Sequence, residues 1–245
     1  MATLITAIAK RTPVSVLTQA SYDALTIKEP FHVYLIRQSG NEQVSSVLPG
    51  FVAAYEGETL KWKDDRLLPG GGWAWRSSAA DNNWFGVCWS PQLSLFVALS
   101  ITGTGNRVMT SPDGINWTIR TSAADNEWRS VCWSPQLSLF VAVANTGTNN
   151  RVMTSPDGIN WTIRTSAANN EWRSVCWSPQ LSLFVAVANS GNGNRVMTSP
   201  NGINWTIRTS ATDNTWRSVC WSPQLSLFVA VASSGIGNRV MTCSP

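Results

Sequence analysis

Histidine is almost missing from these 245 residues, with His32 the single one. Residues 73–245 therefore hold no Ser-His-Asp arrangement and no histidine-containing metal site. Tyrosine is equally scarce: Tyr22, Tyr34 and Tyr55 all precede residue 73. Lysine stops before residue 73 as well, so the eleven basic residues of 73–245 are all arginine, set against seven acids. They stand singly, without a basic run, which speaks against a nucleic-acid partner. No apolar stretch approaches the roughly 20 residues that span a bilayer, so membrane insertion is not expected. Ala2–Ala9 is a short apolar run with no basic residue ahead of it, and it does not read as a secretory signal. No phosphate-loop or dinucleotide fingerprint occurs, so no cofactor is expected.

Tryptophan, by contrast, is abundant. Thirteen of the 14 residues lie from Trp73 onward. Shifting the chain by 44 residues superposes Trp84, Trp128, Trp172 and Trp216, and likewise Trp89, Trp133, Trp177 and Trp221. Residues 120–163 and 164–207 differ at five positions. A fixed period of this length marks a stacked array or a propeller.

One unit carries four strand signals. Trp128–Ser134 alternates, Leu137–Ala144 is a nearly continuous apolar run, and Arg151–Ser155 and Trp161–Thr165 are joined by the turn Pro156-Asp157-Gly158. Four short antiparallel strands in about 40 to 50 residues make one propeller blade. The predicted fold is all-β, a four-bladed β-propeller over 71–245 with a small α+β segment over 1–70. Gly70-Gly71-Gly72 reads as the linker. The last unit ends after three strands, and Trp73-Ala74-Trp75-Arg76 is the equivalent of its fourth. N- and C-terminal strand exchange is therefore expected to close the ring, with an eight-bladed dimer as the alternative. Cys88, Cys132, Cys176 and Cys220 recur at the repeat interval, cannot pair with one another, and read as small buried apolar groups. Cys243 stands where other units have Ser.

The turn Ser111-Pro112-Asp113-Gly114-Ile115-Asn116-Trp117 resembles the Asp-box of sialidase-like (BNR) propellers, with glycine one residue early. The resemblance implies a structural hairpin between third and outermost strands, built from Ser111, Asp113, Gly114 and Trp117, from Ser155, Asp157, Gly158 and Trp161, and from Ser199, Asn201, Gly202 and Trp205. It does not bring the family's catalysis, which uses a tyrosine nucleophile that the repeats lack. Near-identical blades offer the same groups four times, whereas catalysis needs unlike groups at one point, so no catalytic residue is assigned. At the N-terminus, Leu17–Leu25, Lys28-Glu29-Pro30 and Tyr34-Leu35-Ile36 are similar to a short module of tailed-phage fibre and other virion proteins, a Tyr/Leu helix followed by a turn and a strand. That resemblance implies a virion location, with residues 1–70 attaching to other virion proteins and forming a homo-oligomer.

In a four-stranded meander, the loop before the innermost strand and the loop after the second share one face. Four of the five differences between residues 120–163 and 164–207 fall there. Its Asn, Arg and Trp residues suit sugars, because an aromatic plane stacks on a pyranose while amides and guanidinium bond hydroxyls. The candidate glycan-binding residues are Asn82, Trp84, Asn106 and Arg107 in the first unit and Asn126, Trp128, Asn150 and Arg151 in the second. Asn170, Trp172, Asn194 and Arg195 follow in the third, and Asn214, Trp216, Asn238 and Arg239 in the fourth. The competing reading of Trp128 and its equivalents is core. The expected function is a non-enzymatic adhesin of a virion that binds host-surface glycan, with a structural virion subunit or a free microbial lectin as alternatives.

Overall fold

The structure is a computed structural model that describes residues 74–244 and five earlier strands. Those strands are β1 (Val14–Thr18), β2 (Val33–Arg37), β3 (Val44–Ser46), β4 (Ala53–Glu56) and β5 (Thr59–Trp62). The chain divides into two compact units, residues 1–75 and 76–245.

In the first unit β1 and β2 pair in parallel, β2 and β3 antiparallel, and β4 and β5 form a separate hairpin. The helix expected from Leu17 onward begins instead as strand, since Leu17 and Thr18 are the last residues of β1. Residues 19–32, with Lys28-Glu29-Pro30 and His32, lie outside the described residues, as does Trp73, while Tyr34-Leu35-Ile36 falls within β2 as the expected strand.

The second unit is all-β and consists of four blades in sequence. Blade 1 holds β6 (Trp84–Ser90), β7 (Leu95–Ser100), β8 (Val108–Ser111) and β9 (Thr118–Arg120). Blade 2 holds β10 (Trp128–Ser134), β11 (Leu139–Ala144), β12 (Val152–Ser155) and β13 (Thr162–Arg164). Blade 3 holds β14 (Trp172–Ser178), β15 (Leu183–Ala188), β16 (Val196–Ser199) and β17 (Thr206–Arg208). Blade 4 holds β18 (Trp216–Ser222), β19 (Leu227–Ala232) and β20 (Val240–Cys243). Every blade is an antiparallel meander in chain order.

The local chemistry explains the meander. The LFVAVA run of β11 is buried on both faces because another blade lies on each side, so its pattern is continuous rather than alternating. Pro135 cannot extend β10, and Ser138 takes a left-handed turn conformation at φ 47° that brings β11 back. The register runs from Trp128 opposite Ala144 to Ser134 opposite Leu139, with a bulge at Arg129. The bulged residue is the one whose side chain is re-aimed.

Apolar cores form between blades rather than inside them. Val97, Leu99 and Val108 of blade 1 meet Trp128, Val131 and Trp133 of blade 2, and equivalent residues repeat the joint twice more. Burial of this kind stabilises by ~25 cal/mol per Å² of apolar surface, and a single blade could not supply it.

The strand exchange expected at the seam is not formed among the described residues. Blade 4 has three strands, and residues 74–78 are exposed and carry no strand. The physical consequence shows in burial. Val87 of blade 1 is 64% exposed, against 5 to 8% for its equivalents Val131, Val175 and Val219. At the other end Val231 and Val240 are 44% and 60% exposed, whereas Val143 and Val152 are fully buried. Cys220, expected buried, is exposed for the same reason: no blade covers it.

Candidate functional site

The loops expected to share a face do so, and hydrogen bonds between them hold the arrangement. Asn126 donates from Nδ2 to the Asn150 carbonyl at 2.8 Å and to Asn150 Oδ1 at 3.1 Å. Asn82 bonds the Asn106 carbonyl at 2.9 Å, Asn170 that of Asn194 at 2.8 Å, and Asn214 that of Asn238 at 2.6 Å. Each amide clamps the start of its own blade to the loop after the second strand. Gly147 sits inside the clamp at φ 104°, where an added Cβ would collide with Asn150 Oδ1.

The arginines of the candidate set complete these clamps. Arg151 donates from Nε to the Gly147 carbonyl at 2.7 Å and from Nη1 to that of Asn145 at 2.8 Å. Arg107 does the same to Gly103 and Ile101, Arg195 to Gly191 and Asn189, and Arg239 bonds Gly235. Burial lowers the proton affinity of Arg151, with Glu171 opposing. These guanidinium groups hold loops.

The tryptophans are core. Trp128, Trp172 and Trp216 are fully buried, and their indole N–H groups donate to the Ala124, Ala168 and Thr212 carbonyls at 3.0 to 3.1 Å. Trp84 makes the equivalent bond to Ala80 and is half-buried only because blade 1 is open on that side. None of the three buried rings offers a face to a sugar, which corrects the stacking role expected for them. The reason is positional: the residue opening each inner strand is where neighbouring blades converge.

The turns between third and fourth strands carry the structural role assigned to them. Asp113 Oδ1 accepts from the Ile115 and Asn116 backbone N–H groups, both at 2.8 Å, and from the Ser111 hydroxyl at 2.9 Å. The Trp117 indole closes the turn on the Gly114 carbonyl. Those bonds, led by the Asn116 N–H, hold the Asp113 carboxyl far below the usual carboxylate range. At Asp157 burial pushes upward, but the Asn160 and Ile159 N–H groups, the Asn160 amide and the Ser155 hydroxyl outweigh it and hold the group at about 2. Ser155, Gly158 and Trp161 make the same turn, as do Ser199, Asn201, Gly202 and Trp205.

A further group is formed by the bulged residues of the inner strands, Arg129, Arg173 and Arg217, with Phe85 at the same place in blade 1; the Arg129 and Arg173 side chains are 12% and 16% exposed. Arg129 lies over the Phe85 ring at 4.6 Å, and Phe85 is 61% exposed. Glu127 pairs with Arg129 at 2.7 Å and Glu171 with Arg173 at 2.9 Å. Blade 4 has Thr215 at the glutamate position, so Arg217 has no such partner and bonds Ser233 instead. The Arg173 guanidinium is lowered in proton affinity first by burial and then by Arg129, with a further push from Arg217, while Glu171 opposes. The three cations thus share one electrostatic neighbourhood, with one more positive charge than negative. The signal in the sequence was the arginine directly after the Trp that opens each inner strand of blades 2 to 4, but a bulge has no composition signature to announce it.

Among the described residues no cluster of three or more His, Cys, Asp or Glu is placed to hold a metal ion. No known protein family matches the chain, and no curated protein does. Solved structures do. The GH74 enzyme of Niastella koreensis matches at TM-score 0.51 and 16% identity over 66% of this chain and 28% of that one. Hydrazine synthase of Kuenenia stuttgartiensis matches at 0.50 and 13% over 89% and 64%. A nidogen/laminin complex matches at 0.45 and 10% over 83% and 75%. This chain thus spans less than two thirds of the first two. At such identities the likeness to the first two, both β-propeller-like, shows fold alone.

Proposed function

We propose that the chain is a non-catalytic adhesin of a virion, phage-fibre-like in organisation, that presents its propeller to host-surface glycan. The observation that carries the binding half is the neighbouring set of Phe85, Arg129, Arg173 and Arg217 on successive inner strands. An exposed ring stacks on a pyranose, and forked guanidinium donors bond carboxylate or sulfate oxygens in pairs. Anionic sugars are accordingly the class this row suits. The candidate Asn and Arg residues of the loops serve it indirectly, by holding the loops around the row. Weak sites become useful when ligands are presented together.

The virion half rests on the resemblance of Leu17–Ile36 to phage-fibre modules, and kinship with sialidase-like propellers rests on the Ser-Pro-Asp-Gly turns. A non-enzymatic role is supported by repetition: blades 2 to 4 bring the same arginine, and the row holds no acid–base pair of contrasting environments.

The test has two arms. Antibody against the chain should label purified virions. An array of neutral, sialylated and sulfated glycans should light up on the anionic members, and Arg173→Ala combined with Arg217→Ala should cut that signal at least tenfold without changing the circular dichroism spectrum. An array that stays dark while virions label would instead favour a structural subunit.

A further inference from the structure

The three joints between successive blades share most of their parts, and each joint has a polar seam as well as an apolar core. The Trp133 indole N–H of blade 2 donates to Gln92 of blade 1 at 2.7 Å, and Trp177 to Gln136 and Trp221 to Gln180 repeat the bond at 2.8 and 2.7 Å. The Val175 and Val219 N–H groups donate to Ser130 and Ser174 of the preceding blade at 3.2 Å. The Gly105 and Gly193 N–H groups donate to Asp125 and Asp213 of the following blade at 2.7 Å. Arg107 and Arg195 stand 3.6 and 3.5 Å from those same carboxylates.

Counting by the repeat, the two ends hold one unused copy of each part. Blade 1 presents Val87, Trp89 and Asp81, all exposed. Blade 4 presents the complements: Val231 and Val240 for the apolar core, Gln224 for the indole, Ser218 for the Val87 N–H, and Gly237 with Arg239 for Asp81. Among the described residues none of these seam bonds is formed. The two end faces are therefore complementary in shape, hydrogen bonding and charge, and both are uncovered.

We propose that two copies of this chain join head to tail, the blade 1 face of each seated on the blade 4 face of the other, to make one eight-bladed ring. A second copy is the occupant because the turn between blades is already set. Three joints with matching bonds have been made, and after them blade 1 and blade 4 still leave each other open. Within one chain these three joints do not bring the two end faces together, since Val87, Val231 and Val240 stay exposed. A head-to-tail contact forms a ring when its rotation closes. Eight blades lies within the usual range of four to eight, whereas three copies would need twelve.

A cavity of about 800 Å³ beside blade 4 agrees. Phe228 and Met241 line it with Leu183 and Val185. In blades 2 and 3 the outermost strand fills the corresponding place, its Trp161 and Trp205 rings 6.3 Å from Phe140 and Phe184. Repeat register makes Trp73-Ala74-Trp75-Arg76 the matching segment. In the two-copy ring it arrives with the blade 1 of the partner.

Light scattering on the full chain after size exclusion tests this. At micromolar concentration the expected mass is twice the 26.7 kDa of one chain. Val87→Asp and Val231→Asp each spoil one face, and each alone should run as a monomer with an unchanged dichroism spectrum. Mixed in equal amounts they should return to the dimer mass, because one joint in the mixed pair is wild type on both sides. Asp81→Arg gives a second route: it removes the acceptor for Gly237 and sets a like charge against Arg239, and it should weaken the dimer at least tenfold. A wild-type monomer, or a mixture that stays monomeric, overturns the proposal.

Discussion

Asp157 shows how much one side chain settles in a repeat. Its carboxylate takes two backbone N–H groups of its own turn, both at 2.8 Å, and the Asn160 amide at 2.7 Å. Blade 3 contains a natural test, since Asn201 accepts the equivalent N–H groups at 2.9 Å through its one carbonyl oxygen. Asp157→Asn should therefore cost less than about 1 kcal/mol in urea unfolding, while Asp157→Ala, which removes the acceptor, should cost about 1 to 2 kcal/mol. The pH dependence follows from the sign of the shift. The folded group at about 2 lies below the ordinary 3.8, so its contribution is present above pH 4 and lost as pH falls from about 4 toward 2. The Asn variant should lose less stability over that window than wild type. Gly147 makes the opposite point, because nothing can replace it. Its φ of 104° and the Asn126–Asn150 clamp around it leave no room for a methyl group. Gly147→Ala should destabilise by more than about 2 kcal/mol in the same measurement, whereas alanine at the exposed Thr148 beside it should be nearly neutral.

The elements were largely legible because the repeat multiplies weak signals. The inner strand Trp128–Ser134 is bounded as the alternation indicates, and Pro135 ends it. The second strand begins at Leu139 rather than Leu137, because Ser138 adopts the left-handed turn, which no apolar count can reveal. The third strand starts one residue later than expected, at Val152, and the fourth is one residue shorter at each end, where Arg151 and Trp161 leave the ladder to bond loop and turn carbonyls. Loop pairing on one face was legible from meander geometry alone. The roles on that face were not. Asn, Arg and Trp in loops look the same whether they meet a ligand or clamp a neighbour, and the choice depends on which group reaches which carbonyl 24 residues away. The arginine row was hidden for another reason: a bulge re-aims a residue that strict alternation would have pointed elsewhere.

At the scale of the whole molecule the unusual property is a joint that the chain makes three times and leaves half-made at each end. An end blade exposes apolar surface that interior blades bury, and terminal repeats of stacked proteins ordinarily carry a polar outer face to avoid this. Here the terminal faces keep interior chemistry: Val87 and Val240 stand where Val131 and Val152 are buried. Only a matching face removes that cost, and the thiols report whether it arrives. Cys132 lies within a completed joint, and burial raises its proton affinity well above that of an ordinary thiol. Cys220 occupies the same place on the open face and is exposed in the single chain. In the two-copy ring it should be as slow to react with a maleimide as Cys132. Dilution or Val87→Asp should then release it, with labelling at least tenfold faster at Cys220 and little changed at Cys132. The midpoint of thermal unfolding should fall on the same dilution, since partner binding stabilises by mass action. Fast labelling of Cys220 at every concentration would show that nothing covers the fourth blade, and the ring of two copies would have to be abandoned.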